Sequence, residues 1–318
     1  MNNRLLLIPL LFSSALMLFS ACSGNQNTAD PDELNGELII FHAGSLSVPF
    51  KALADSFNKI HPGVNILPES AGSLACIRKI TDLNRPCDIL ASADYILIDK
   101  LMIPEHASWN LMFAGNEMAL VYQPNSKFAD VVNNKNWYSV LQYPEVRYGR
   151  SDPNSDPCGY RAILTMKLTE KLHHEPGLTE NLMNRDQKYI RPKEVDLLAL
   201  LETGTLDYIF LYKSVAIQHS LPFVELNDSI NLSNPTLADW YSSVAVDVAG
   251  NKPGEKITQT GEAMIYGLTI PNNSEHPEIA KEFIRFLVGQ GMTTIEKLGQ
   301  TPLKPIYSPK SSANPELF

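Results

Sequence analysis

The tetrapeptide Ala-Gly-Ser-Leu occurs twice in this chain, at Ala43–Leu46 and Ala71–Leu74. Each copy follows an apolar, strand-like run, Glu37–Phe41 or Val64–Leu67, and opens a run with helical periodicity. A chain that steps twice from strand through Gly-Ser into helix is building an α/β unit with a parallel sheet. The step leaves backbone N–H groups and a hydroxyl at the positive end of a helix dipole, a seat for a small anion. Two such seats in one domain predict one anion held between them, with Ser45 and Ser73 as the first candidate contacts. Taken singly, each serine is an ordinary N-cap; it is the repeat that points to a ligand.

The apolar spacing carries the pattern onward. Phe50, Leu53, Phe57 and Ile60 share a face of Leu46–Ile60, which His61-Pro-Gly63 stops. Leu74, Ile77, Ile80 and Leu83 share a face of the next helix, Asp88–Ser92 reads as a buried strand, and Asp94 caps Tyr95–Met102. Strands follow at Leu111–Ala114 and Met118–Gln123. The alternation then restarts with strand Val146–Gly149, helices Cys158–His173 and Glu194–Glu202, strand Asp207–Tyr212, helix turn Ser214–His219 and strand Phe223–Leu226. Ser242–Ala249 and Met264–Ile270 read as long returning strands, and Pro277–Leu287 and Thr293–Leu298 as closing helices. The last eleven residues read as loosely ordered. This predicts two α/β domains, 37–118 with 265–318 and 119–264, joined by two crossings. Ligands of such sheets sit at the carboxyl ends of strands, here in a cleft that can close by hinge motion.

The first residues stand apart. Met1–Arg4 is positively charged, and the apolar run Leu5–Phe19 falls short of the about twenty residues that span a bilayer. It ends in Phe19-Ser-Ala-Cys22-Ser-Gly24. Residues 1–21 thus read as a lipoprotein signal, with cleavage before Cys22 and acylation of its sulfur. An ordinary signal peptide or an anchor helix is the alternative. Residues 22–36 are polar and aperiodic, a tether holding a periplasmic or extracytoplasmic body to the membrane by its lipid alone.

A net charge of −9 without a basic face excludes a nucleic-acid partner. It does not exclude an anionic ligand, which neutral dipoles can hold. Of the four cysteines, Cys76 and Cys87 are the only local pair, set at opposite ends of the predicted second helix. The seven histidines show no metal-ligand spacing, and neither a Gly-x-Ser-x-Gly elbow nor a phosphate loop is present, so no enzyme is predicted.

A second cluster lies at Gly149–Arg161, where Asp156-Pro157 precedes a helix whose first amides are those of Cys158 and Gly159. Plain capping would place a carboxylate there. Yet an anion would bind there too, and two unit charges about 4 Å apart repel by roughly 4 kcal/mol at an effective dielectric near 20. A sulfate site would avoid Asp156. Molybdenum or tungsten can expand its shell to accept the carboxylate oxygen, and sulfur in sulfate cannot. Phosphate, which can keep a proton to share with Asp156, is the better of the remaining oxyanions. A third cluster, Tyr189–Val195, offers free amides near Glu194 and Val195. A fourth ends a strand at Tyr212, whose phenol either donates to an oxyanion or rests at a domain edge.

Taken together, His42-Ala-Gly-Ser-Leu, Glu69-Ser-Ala-Gly-Ser with Arg78-Lys79, Asp156-Pro-Cys-Gly-Tyr-Arg, Ile190-Arg-Pro-Lys-Glu with Asp196-Leu-Leu-Ala-Leu-Leu, Tyr212-Lys-Ser-Val-Ala with Gln218-His, and Tyr266-Gly-Leu-Thr-Ile-Pro resemble the tungstate/molybdate-binding proteins of ABC importers. The likeness runs from about Glu37 to Pro305. It implies a class II periplasmic-binding-protein fold with a metallate in the interdomain cleft. It also implies delivery to a membrane permease and its ATPase subunits by a monomer, without a cofactor. By position it implies Ser45 and Ser73 as contacts of the first domain, Asp156 as the carboxylate on the metal, and Cys158 as a backbone donor. Glu194–Val195 would be a second donor site, and Tyr212 lies in the segment of the last contact. Archaeal-type members imply a second carboxylate just before this tyrosine, where this chain has Leu211. The expectation is therefore one coordinating carboxylate and four or five ligands, with Tyr212 donating a hydrogen bond. Arg78-Lys79 reads as solvated surface.

Overall fold

The two Ala-Gly-Ser-Leu steps leave the same sheet side by side. The computed structural model describes residues 34–250 and 254–308. In it β1 (Gly36–Ala43) runs parallel to β2 (Val64–Ala71), with Ala43 the register partner of Ala71. Neighbouring strands lie about 4.8 Å apart, so Gly44-Ser45 and Gly72-Ser73 emerge at one edge as adjacent loops. The first copy forms a 3-10 turn, Gly44–Leu46, before α1 (Ser47–Ile60); the second leads directly into α2 (Ser73–Thr81).

β3 (Ile89–Ser92) joins β1 in parallel and is followed by α3 (Tyr95–Leu101). β4 (Asn110–Gly115) closes the first half of the chain. A crossing at Asn116 and Glu117 then leads to β5 (Met118–Tyr122), α4 (Trp137–Val140), β6 (Tyr148–Gly149), α5 (Pro157–His173), α6 (Leu178–Asp186), α7 (Leu198–Glu202), β7 (Tyr208–Tyr212), α8 (Lys213–Gln218) and β8 (Phe223–Glu225). After α9 (Asp228–Asn231) and α10 (Ala238–Tyr241), β9 (Ala245–Ala249) and β10 (Lys256–Thr260) form a hairpin. β11 (Ile265–Thr269), α11 (Pro277–Val288), α12 (Met292–Lys297) and β12 (Thr301–Ser308) follow.

Two main sheets result. One has the order β12-β4-β11-β3-β1-β2, the other β6-β7-β5-β8. The parallel expectation holds for β1, β2 and β3, whereas β11 runs antiparallel to both β3 and β4. A strand that returns from the second half enters the first sheet from the opposite end, which local periodicity does not reveal. The segment Glu194–Glu202 is a 3-10 turn, Glu194–Leu197, followed by α7 rather than one helix. The expected signal segment, Cys22, most of the expected tether and the residues after Ser308 lie outside the described residues.

Each sheet carries its own apolar packing. Phe57 of α1 meets Phe283 and Phe286 of α11 with ring centroids 5.2 and 5.6 Å apart. Each buried phenylalanine is worth about 1.5–3 kcal/mol, so this cluster pins both helices beneath the first sheet. Under the second sheet, Trp137 packs edge-on against Phe210 of β7 at 5.8 Å, and Leu164, Met166 and Leu168 of α5 are buried. Cys76, Cys87 and Cys158 are buried free thiols, so the Cys76–Cys87 pair is not bonded.

Candidate functional site

Neither serine caps its helix. No side-chain cap bond is present at the Gly44 turn, at α1 or at α2. Ser45 and Ser73 are buried, and their hydroxyls turn to other parts of the chain. The Tyr266 hydroxyl donates to Ser45 Oγ at 3.0 Å, and the Ala93 N–H donates to Ser73 Oγ at 2.9 Å. Tyr266 in turn accepts from Asn116 Nδ2 at 2.8 Å. Asn116 lies on the crossing between β4 and β5, and its N–H reaches the Met264 carbonyl on the other crossing at 3.3 Å. Ser45 is thereby tied to both connections between the sheets.

The second sheet supplies the facing residues. Asp156, wholly buried, caps α5: its Oδ1 accepts the Cys158 N–H at 3.3 Å, and its Oδ2 accepts the Glu194 N–H at 2.9 Å. These two amides were expected to face a ligand; they hold the carboxylate instead. Val195 follows, half-buried, in the 3-10 turn. The Glu194 side chain lies where no sequence pattern placed it. It is fully buried, and neither carboxyl oxygen has a hydrogen-bond partner. A Cβ added to Gly44 would stand 2.8 and 2.9 Å from those oxygens, so the Glu194 carboxyl packs directly against the first Gly-Ser turn. Burial, and after it the charge of Asp156, pushes the Glu194 carboxyl well above the usual range; burial also raises Asp156. Two like charges in one buried site cannot both form without a compensating group.

Tyr212 ends β7, fully buried, with its oxygen accepting from Arg161 Nη1 at 3.2 Å and its ring 6.4 Å from that of Tyr266. Leu211, the position expected to bear a second carboxylate in other members, is buried in the same strand, and alternation turns it to the opposite face from Tyr212. The second buried acid beside Asp156 is Glu194.

The sheets meet at the second Gly-Ser step. The N–H groups of Leu74 and Ala75 donate to the Ser155 carbonyl at 3.1 and 3.4 Å. A Cβ on Gly72 would lie 2.2 Å from that oxygen. Arg78 corrects its reading as solvated surface: it donates to the carbonyls of Asn154, Ala249 and Gly250 at 3.0–3.1 Å. Sequence reasoning assigned no role to Arg161, Tyr266 or Asn116. Their signal was the polar side chain inside an otherwise apolar run.

Buried hydroxyls at the carboxyl ends of strands thus stand near two buried acids where the two sheets meet. The sequence model for bacterial extracellular solute-binding proteins matches residues 38–299. A solute-binding protein of Petrotoga mobilis is 47% identical over 93% of this chain and 92% of its own length. This chain belongs to that family. The molybdate/tungstate-binding protein WtpA of Thermococcus kodakarensis is 36% identical, covering 89% of this chain and 88% of its own. The solved periplasmic molybdate-binding protein of Azotobacter vinelandii superposes with a TM-score of 0.62 over 84% of this chain and 100% of that one, at 16% identity. The fold is accordingly that of the periplasmic binding proteins, two α/β domains about a cleft. No helix among the described residues is long and apolar enough to cross a membrane.

Proposed function

We propose that this protein captures molybdate or tungstate between its two sheets and delivers it to the permease and ATPase subunits of an ABC importer. Asp156 and Glu194 coordinate the metal, while Ser45, Ser73 and Tyr212 donate to its oxygens. The backbone near Cys158 and Val195 shapes the second-domain wall. The observation that carries this reading is the pair of buried carboxyls, one of them without a hydrogen-bond partner, set against a Gly-Ser anion seat. Against sulfate or phosphate, each ionised carboxylate opposes binding. Against a metal centre that can enlarge its shell, both become ligands. Two carboxyls also restore six-coordination, which a single Asp156 left short. The 36% identity to a molybdate/tungstate-binding protein supports the same ligand.

On this reading the domains 37–118 with 265–318 and 119–264 close on the ligand about the two crossings. The protein transports without chemistry, needs no cofactor and acts as a monomer. Cys22 carries the lipid that holds it at the extracytoplasmic face. Titration calorimetry with tungstate, molybdate, sulfate and phosphate tests the ligand. Heat from the two metallates with none from sulfate is expected; heat from sulfate or phosphate with none from tungstate would overturn the reading.

A further inference from the structure

Arg161 is a buried cation, 2% exposed, in the second turn of α5. Its Nη1 donates to the Ala93 carbonyl at 2.6 Å and to Tyr212 Oη at 3.2 Å. Its Nη2 stands 3.5 Å from Asp94 Oδ2, and the neighbouring Tyr160 hydroxyl donates to the same carboxylate oxygen. The Ala93 backbone has a second partner, for its N–H donates to Ser73 Oγ. One guanidinium nitrogen therefore touches Tyr212 of the second sheet directly and reaches Ser73 of the first through a single residue, Ala93.

This wiring has a directional consequence. A hydroxyl that accepts from a fixed donor has its own proton left to give. Ser73 Oγ accepts from Ala93, Tyr212 Oη from Arg161, and Ser45 Oγ from Tyr266, whose oxygen itself accepts from Asn116. All three hydroxyls are biased to present protons, the arrangement an oxyanion without protons requires.

We propose that Arg161 is the positioning residue of the oxyanion site: by holding Tyr212 Oη and the Ala93 backbone together, it aligns the Tyr212 and Ser73 hydroxyls on one ligand across the two sheets. It does not touch the ligand. The inference rests on the assignment of Ser73 and Tyr212 as contacts. Arginine suits the task because its planar fork offers five donors at fixed angles, whereas a lysine ammonium is a point charge on a flexible stem. An ion pair serving stability alone would need only Asp94. Here Nη1 spends both its contacts on the two segments that carry ligand hydroxyls.

The test is a double-mutant cycle in oxyanion affinity, measured by calorimetry on the full mature chain. It uses Arg161→Gln, Tyr212→Phe and the combined variant, with whichever of tungstate, molybdate, sulfate or phosphate the parent binds. The parent alone decides the ligand; the cycle decides the role of Arg161. Arg161→Gln should weaken binding at least threefold, and that loss should shrink by more than twofold once Tyr212 is phenylalanine. A loss under threefold, or one undiminished by Tyr212→Phe, overturns the proposal. If Arg161→Gln does not fold, Arg161→Lys takes its place under the same thresholds, because it keeps a cation for Asp94 without the fork.

Discussion

The carboxylate of Asp156 joins two separate helix starts, accepting the Cys158 N–H through Oδ1 and the Glu194 N–H through Oδ2. That bridge brings the side chain of Glu194 against the first Gly-Ser turn and makes a lone acid into a pair. On the proposed reading, capping and coordination are not alternatives for Asp156. The helix start orients the carboxylate, and the orientation makes it available.

Asp156→Asn keeps one acceptor oxygen but removes the charge. Loss of a ligand to the metal should lower tungstate affinity by about tenfold or more, which is about 1.4 kcal/mol. Any residual sulfate binding should be unchanged or stronger. Calorimetry with both anions checks the sign. Equal weakening of the two would remove Asp156 from the metal.

Glu194→Gln should separate function from stability. The folded Glu194 carboxyl is raised above its unfolded value, chiefly by burial. Its contribution is therefore fully present below the unfolded value and is lost as pH rises toward the folded one. The glutamine variant should melt higher than the parent at pH 8, by about 2–4 °C for each kcal/mol relieved, and match it more closely at pH 4. It should also lose tungstate. Thermal unfolding at the two pH values reads the first effect, and a lower melting point at pH 8 contradicts it.

Gly72→Ala places a methyl group against the Ser155 carbonyl, at a separation of 2.2 Å before relaxation. Overpacking of this kind costs about 1–3 kcal/mol. Here the contact joins the sheets, so the penalty falls on closure and affinity drops about 5- to 150-fold. Small-angle scattering should show the ligand-induced compaction of the parent reduced in the variant. Full compaction at parental affinity would mean that Gly72 is not a closing contact.

Glu262 lies on the crossing that leads into β11, with its Oε2 3.4 Å from the Tyr95 hydroxyl. Burial, followed by the charge of Asp94, pushes its carboxyl up to about 7. The stability it contributes at low pH is lost as pH rises through about 7. Glu262→Gln should flatten the dependence of the melting temperature on pH between about 5 and 8. An unchanged slope in that interval counts against this assignment.

Much of the site was legible because it is local. The repeated Ala-Gly-Ser-Leu marks two strand-to-helix steps, and Asp156-Pro157 marks a helix start. Periodicity placed α1, α5 and α11 within a residue or two of their observed ends. What escaped depends on register and direction across the fold. The pairing of Ala43 with Ala71 sets the two serines side by side, yet nothing local states it. Glu194 was read for its backbone because a helix start advertises amides; its carboxyl reaches the site only through the meeting of two sheets. Arg78 and Arg161 were charged residues on helices, which is usually a mark of solvent. Their acceptors lie on segments remote in sequence.

The measurement that bears most directly on paired carboxyl coordination is X-ray absorption at the tungsten L3 edge of the tungstate-loaded protein. The account predicts an oxygen shell larger than four, reduced in both Asp156→Asn and Glu194→Gln. A four-oxygen shell indistinguishable from free tungstate, and unaltered by either substitution, would contradict it.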